Sequence, residues 1–413
     1  MTDNVERVRE ILTWAYERSP FYRKRLEAAG LRPEHIRTAD DFRLLVPSWT
    51  KEDIIRAQAE DPPYGGLLSV PSTSVRRIYV APGPVVSAFT EEDYAAFARQ
   101  AAAALMRMGC RPGDVVDVTF QFNWVTAGTL YDEALRMAGC AVVPGGAGNS
   151  AVHIQNMKLL GVTVLVGFPT FLEHLIDVAR EEGVDPARDF RVRLVIFAGE
   201  LRRSDMKKYL GAAFGGADVR EHYATADVGV VAYECEYGNG MHLMEDQYVE
   251  VLDPETAEPV GPGQPGEVYV TSLKRRAMPI IRYRTWDLTS GLDPTACPCG
   301  ASTPRMGYII GRVGTIPRVK GLFVNPGEVR EVLASFPQVG RFQLVVDRQE
   351  GQDLLVVRVE VRRAVADPDS QVSLRTRLTE ALRNRLRLTP VVELVGEGAI
   401  GEDSPTVVDS RRV

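Results

Sequence analysis

Between residues 92 and 200 the chain alternates helical apolar spacing with short β-branched runs, and this limits it to a parallel sheet with helical crossovers. A helix is expected through Tyr94 to Met108, a strand at Val115 to Phe120, and a helix through Leu130 to Met137. Strands follow at Ala141 to Pro144, Val162 to Val166 and Val192 to Phe197. Upstream, Val8, Ile11, Leu12, Ala15 and Tyr16 keep helical spacing up to a break at Ser19-Pro20. Residues 241 to 300 turn rich in Gly, Pro and short strands, as in VLDPETAEPVGPGQPGEVYVTSL, which predicts an antiparallel, turn-rich β subdomain. After Gly311-Arg312 the pattern is that of a small α+β unit: strands near Ile316 to Val319, Phe342 to Val346 and Leu354 to Val361, with helices Pro326 to Ser335 and Leu374 to Leu386. The expected organisation is therefore α/β, a large N-terminal domain over 1–313 and a small C-terminal domain over 314–413.

Charge and cysteine content narrow the function. A net charge of -6 with no cluster of Lys and Arg gives no footprint for nucleic acid or an anionic membrane. The first residues, MTDNVERVRE, are charged, and no apolar run approaches the ~18 residues that span a bilayer. A cytoplasmic enzyme acting on a small molecule is the expectation. Five cysteines, an odd number, argue against a secreted disulfide framework. Cys297-Pro298-Cys299 supplies two thiolates one residue apart, and Cys235 and His242 lie six residues apart ahead of the turn-rich segment. Three sulfurs and one imidazole make a closed tetrahedral set suited to structural zinc, the alternative being four separately buried side chains. Cys110 and Cys140, in apolar surroundings, are expected to be core thiols.

The segments SPFYRKRL (19–26), VVPGGAGNS (142–150), FAGE (197–200), HYATADVG (222–229) and IRYRTWDLT (281–289) follow one another along the chain, then CPCG, PRMGYIIGR and VNPGEVREVL. In that order they resemble the phenylacetate-CoA ligase family of adenylate-forming enzymes, over nearly the whole chain. The resemblance implies an enzyme that joins a carboxylate to AMP using ATP and then passes the acyl group to coenzyme A. It implies that Asp287 holds the ribose hydroxyls, a carboxylate being able to accept both protons. Ala198, Gly199 and Glu200 would pack on adenine, at the carboxyl end of a parallel strand where ligands bind. Tyr223 would stack on adenine, and Asp227 stands where the family has a magnesium-binding Glu. Arg312 and Lys320 complete the expected nucleotide set. Some members carry zinc at positions matching the Cys/His set, and the family implies a homodimer. Phe122, Trp124 and Tyr131 in QFNWVTAGTLYDE, with Gly146 and Asn149 in GGAGNS, are candidates for the acyl or aryl pocket, although clustered aromatics also build cores. His222 is a candidate general base near neutral pH, against the commoner structural histidine.

Departures from the family are equally specific. No lysine lies between Lys51 and Lys158, and none follows Lys320. The family's SSGTTGKP-type loop, whose amides, hydroxyls and lysine cradle ATP phosphates, is replaced by RRIYVAPGPVVSAFT (76–90). Pro82, Pro84, Val85 and Val86 stand where donors are needed, and proline lacks even the backbone N–H. The near-terminal lysine that bridges carboxylate and α-phosphate is also missing, with Asp403 or Ser404 near its place, and the hinge GRxDD becomes Gly311-Arg312-Val313-Gly314-Thr315. Three readings follow: a family enzyme working on an aromatic or acyl carboxylate, or its adenylate or thioester, with ATP-driven adenylation weakened or lost; a working ATP-dependent ligase with rebuilt phosphate contacts; and a non-catalytic ligand-binding module.

Overall fold

The β-branched runs assemble as one array of parallel strands, in the order Ala141–Val143, Val115–Val118, Val164–Gly167, Leu194–Phe197, Asp218–Thr225. Strands Gly229–Glu234, Met241–Leu243, Arg305–Met306 and Leu292–Asp293 extend it antiparallel to nine strands. The computed structural model describes residues 2–201, 205–319, 322–349, 352–362 and 367–412. These divide into two compact units, Met1–Ile309 and Ile310–Val413.

The parallel strands are apolar on both faces because helices cover both. Val116, Val118, Val164, Val166, Leu194 and Ile196 pack against Ala98, Ala101, Leu105 and Leu135. Their neighbours Leu165, Val195 and Phe197 point the other way, onto Met157, Leu172, Ile176 and Leu210. The helix expected from Tyr94 starts earlier, Glu91–Arg107, because Thr90 caps it through the Asp93 N–H and three acids sit in its first turn. Two crossover helices went unrecognised in the sequence, Ser150–Leu160 and Pro169–Glu181. The first has apolar residues scattered around its circumference, so no stripe marks it.

The turn-rich region forms an antiparallel sheet that includes Gln247–Leu252, Gly266–Ser272 and Tyr283–Thr289. Against it rest the N-terminal helices Thr2–Arg18 and Pro20–Ala28, separated at Ser19, whose hydroxyl accepts from the Tyr22 N–H. Long-range hydrogen bonds fix them: Trp14 Nε1 to the Arg276 carbonyl at 3.0 Å and the Tyr22 hydroxyl to the Pro279 carbonyl at 2.6 Å. Trp49 is zipped onto the strand edge, donating to the Arg282 carbonyl and accepting from the Arg284 N–H. The helix Lys51–Glu60 follows, opened by a Thr50/Asp53 capping box. Strands Arg77–Ala81 and Val85–Phe89 form a hairpin with a three-residue tip, Pro82-Gly83-Pro84. Gln58 clamps this hairpin to the helix, its side-chain amide exchanging hydrogen bonds with both backbone groups of Val86 at 2.8 and 2.9 Å.

In the second unit a four-stranded sheet runs Val391–Gly396, Gln352–Val361, Val339–Gln349, Val407–Asp409. Helix Pro368–Leu386 lays Leu374, Leu378, Leu382 and Leu386 into the core beside helix Pro326–Ala334. The two outer strands were not read from the sequence, and the long helix begins one and a half turns before Leu374 because Asp367 caps it through the Ser370 N–H. Lys320 lies outside the described residues. Among the described residues no helix is long and apolar enough to cross a membrane.

Candidate functional site

Polar residues converge where the parallel strands end and the sheet turns antiparallel. The Tyr223 hydroxyl donates to Asp287 Oδ2 at 2.7 Å, joining the end of strand Asp218–Thr225 to strand Tyr283–Thr289. The Tyr283 hydroxyl donates to Asp227 Oδ2 at 2.9 Å. Burial, reinforced by Asp287, pushes the Tyr223 phenol up, and burial with Asp227 does the same for Tyr283, so both remain hydrogen-bond donors at neutral pH. The Asp227 carbonyl accepts from buried Arg275 at 2.5 Å, while its Oδ1 is buried without a hydrogen-bond partner among the described residues. Of the expected nucleotide set, Tyr223, Asp227 and Asp287 are thus brought into one contiguous cluster.

The FAGE segment is a strand-to-helix turn. Gly199 has φ +84°, and a Cβ there would come 2.5 Å from Phe168 Cε1, so only glycine fits. Ala198 is buried. The two carboxylate oxygens of Glu200 accept from the Thr170 hydroxyl and N–H at 2.7 and 3.0 Å, capping helix Pro169–Glu181. Arg312 is exposed in a turn of the second unit, its N–H bonded to Thr315 Oγ1 at 3.2 Å.

The expectation that His222 acts as a base near neutral pH is corrected. The ring is 2% exposed and its Nε2 is hydrogen-bonded to the buried Tyr131 hydroxyl. Burial pushes its pKa down to about 3, from 6.5, so it stays neutral and cannot titrate with a catalytic step at neutral pH. Because the folded pKa is depressed, the unfolded chain takes up a proton first. The stabilisation is complete above pH 6.5 and is lost as pH falls towards 3. His222→Gln should therefore flatten the decline in unfolding free energy between about pH 6 and pH 4. Equal slopes for variant and wild type in urea titrations would overturn this.

The aromatic candidates separate. Tyr131 packs against Phe120 at 5.0 Å between ring centroids, Phe122 is half-buried, and Phe168, unrecognised in the sequence, closes on Phe120 edge-on at 4.8 Å. Trp124, expected to help enclose a substrate, is 79% exposed, because its left-handed backbone (φ 65°) turns the residue outward while its carbonyl pairs with Val80. Gly146 and Asn149 lie on a loop pinned from below: His153 bridges Asp117 Oδ2 at 2.6 Å and the Gly146 carbonyl at 3.0 Å. Burial alone would lower His153, but the Asp117 carboxylate holds its pKa above the ordinary value, as an imidazolium donating from both nitrogens requires.

The cysteine set is assembled away from this cluster, at the antiparallel edge of the large sheet. The donor atoms of Cys235, His242, Cys297 and Cys299 all lie within 4.8 Å of one another. Cys235 Sγ and Cys297 Sγ are 3.7 Å apart, close to the ~3.8 Å that two thiolates keep on one tetrahedral zinc. Cys299 Sγ is 3.3 Å from His242 Nε2, and Nδ1 of the same ring contacts the Thr303 carbonyl at 3.2 Å, which orients Nε2 towards the sulfurs. The four therefore fit a closed Cys₃His site. Cys110 and Cys140 are apart from it and buried, and burial pushes the Cys110 thiol up to about 12, an inert core group.

Phe168 and Tyr283 were not read from the sequence as site residues, although GFPT after an apolar strand and the tyrosine inside IRYRTWDLT were visible signals. Known proteins resemble the chain over most of its length. Residues 134–274 match the AMP-binding enzyme family and 321–411 the AMP-binding enzyme C-terminal domain. The chain is 30% identical to phenylacetate-coenzyme A ligase of Aromatoleum evansii, over 93% of this chain and 85% of that one. It is 29% identical to the enzyme of that name from Thermus thermophilus, over 95% and 92%. Among solved structures, an open conformation of 2-hydroxyisobutyryl-CoA ligase in complex with 2-HIB-AMP and CoA superposes with a TM-score of 0.88 at 28% identity, covering 98% of this chain and 90% of that one.

Proposed function

Because the chain belongs to the phenylacetate-CoA ligase family of AMP-binding enzymes, we propose that it is an acyl-activating ligase for an aromatic or acyl carboxylate whose reaction with ATP is weakened relative to its handling of the adenylate. In the full reaction a carboxylate oxygen attacks the α-phosphorus and pyrophosphate leaves. The thiol of coenzyme A then attacks the acyl carbon, and AMP leaves with the bonding electrons. Asp287 accepts the ribose hydroxyls, with Tyr223 holding the carboxylate in place. Phe122 and Phe168, backed by buried Phe120, with the loop through Gly146 and Asn149, offer an apolar surface with polar main-chain groups to the acyl part.

One observation carries the weakened step: the tip Pro82-Gly83-Pro84. Only Gly83 of the three has a backbone N–H, and no hydroxyl or ammonium stands on the tip itself. The β- and γ-phosphates therefore lack the cradle that stabilises departing pyrophosphate. Magnesium, when bound, would neutralise phosphate charge, and Asp227 with its unpartnered Oδ1 is the residue to hold it. The Cys235, His242, Cys297 and Cys299 set would hold a structural zinc that supplies no open coordination position for chemistry.

Isothermal titration with AMP, coenzyme A and MgATP, followed by carboxylate-dependent pyrophosphate release, tests this reading. The expected result is AMP binding at micromolar level, MgATP binding no tighter, and slow pyrophosphate release. MgATP binding more than about tenfold tighter than AMP, with rapid release, would restore an ordinary ligase. Silence from every ligand would favour a non-catalytic module.

A further inference from the structure

The lysine missing from the hairpin tip has a neighbour in space. Lys51 is the first residue of helix Lys51–Glu60, and its side chain runs along the tip: a Cβ on Gly83 would be 3.0 Å from Lys51 Cε and 3.1 Å from Ile55 Cδ1. The Lys51 ammonium stands 4.0 Å from Asp227 Oδ2. That is an ion-pair approach but too long for a hydrogen bond, and the Lys51 ammonium makes no hydrogen bond among the described residues. Its three donors are thus available, and the side chain is 30% exposed. Asp227 itself is 8% exposed there, with Oδ1 buried and unpartnered.

Three ties make this placement firm. The Thr50/Asp53 capping box sets the helix start, Trp49 is paired to the strand that carries Tyr283 and Asp287, and Gln58 clamps the helix to the hairpin. The result is a continuous line of groups: Tyr223 to Asp287, Tyr283 to Asp227, then Lys51 and Gly83. Arg275, the other cation at Asp227, is buried and already donates to the Asp227 carbonyl over the face of Phe89. It is not placed to meet an incoming anion.

We propose that Lys51 is the phosphate-binding cation of this site, contacting the α-phosphate of AMP or of an acyl adenylate in place of the absent loop lysine. The inference rests on the reading that Tyr223 and Asp287 hold the nucleoside. It adds which cation among the described residues stands at the hairpin tip, beside Asp227, for the phosphate. One ammonium supplied from a helix satisfies one phosphate, whereas a donor-poor tip leaves the β- and γ-phosphates without partners. A site of this kind distinguishes adenylates from adenosine more sharply than it distinguishes ATP from AMP.

The test compares AMP with adenosine on wild type, Lys51→Met and Lys51→Arg by calorimetry without added magnesium, with thermal unfolding as a check on folding. Methionine keeps the aliphatic stem against Gly83 and removes only the charge. Expected is a loss of about 10- to 100-fold in AMP affinity for K51M, unchanged adenosine affinity, and partial recovery in K51R. If wild type binds both ligands and AMP keeps its advantage over adenosine in K51M, the assignment of Lys51 fails while the nucleotide reading stands. If wild type binds neither ligand, the nucleotide reading fails and the assignment with it.

Discussion

Cys297→Ser is expected to strip the protein of zinc and to lower its thermal unfolding midpoint by about 10 °C or more. The strands that the four donors join are too short to hold themselves: Met241–Leu243 has three residues, and Leu292–Asp293 and Arg305–Met306 have two each. Cys235 follows directly on strand Gly229–Glu234, while Cys297 and Cys299 lie in the loop between the two shortest strands. A metal bound by all four residues fastens that loop and the sheet edge to the rest of the array. Binding energy at a closed thiolate site is available as folding energy, roughly 10 kcal/mol in small zinc domains. Losing one ligand forfeits a large part of it. Metal content by mass spectrometry should be about one zinc per chain for wild type and near zero for the variant. Wild-type protein purified without metal, with a midpoint indifferent to chelator, would sink the idea.

Asp287→Ala should reduce AMP affinity by roughly 100-fold or more, and adenosine affinity by the same factor. The substitution removes the acceptor for the ribose hydroxyls and leaves the Tyr223 hydroxyl, 7% exposed as a residue, without the partner it holds at 2.7 Å. A buried donor that loses its charged acceptor adds a desolvation cost to the lost contact. Tyr223→Phe keeps the ring and frees the carboxylate, so its effect should be smaller, roughly 10-fold. Equal loss for AMP and adenosine is the signature of a sugar contact, in contrast to the phosphate-specific loss expected at Lys51. Unchanged binding in Asp287→Ala, with unfolding as in wild type, would remove Asp287 from the site.

The features most legible in the sequence were those in which neighbouring residues decide together. Alternation of β-branched runs with helical spacing specified the parallel array, and the turn-rich stretch before Cys297 specified the antiparallel sheet. The four metal-binding candidates could be named because few residue types ligate zinc. Distance along the chain hid the rest. His222 was readable as a base by residue type, and only the packing of Tyr131 around it shows that it is locked neutral. Glu200 was named from its motif, and that its carboxylate also completes a helix end begun at Pro169 could not be read there. Lys51 marked the edge of a visible gap in the lysines, yet its place beside Gly83 depends on Trp49 pairing with a strand more than 200 residues later.

That same pairing orders events during synthesis. The helices Thr2–Arg18 and Pro20–Ala28 find their hydrogen-bonding partners at Arg276 and Pro279, and Trp49 finds its own at Arg282 and Arg284. At ~5–20 residues per second these segments leave the ribosome on the order of tens of seconds before the residues that cover them. During that interval Ile11, Leu12, Tyr22 and Trp49, all buried in the finished protein, have no core to enter. Apolar surface exposed over that interval favours aggregation of the nascent chain, and slow translation lengthens the interval.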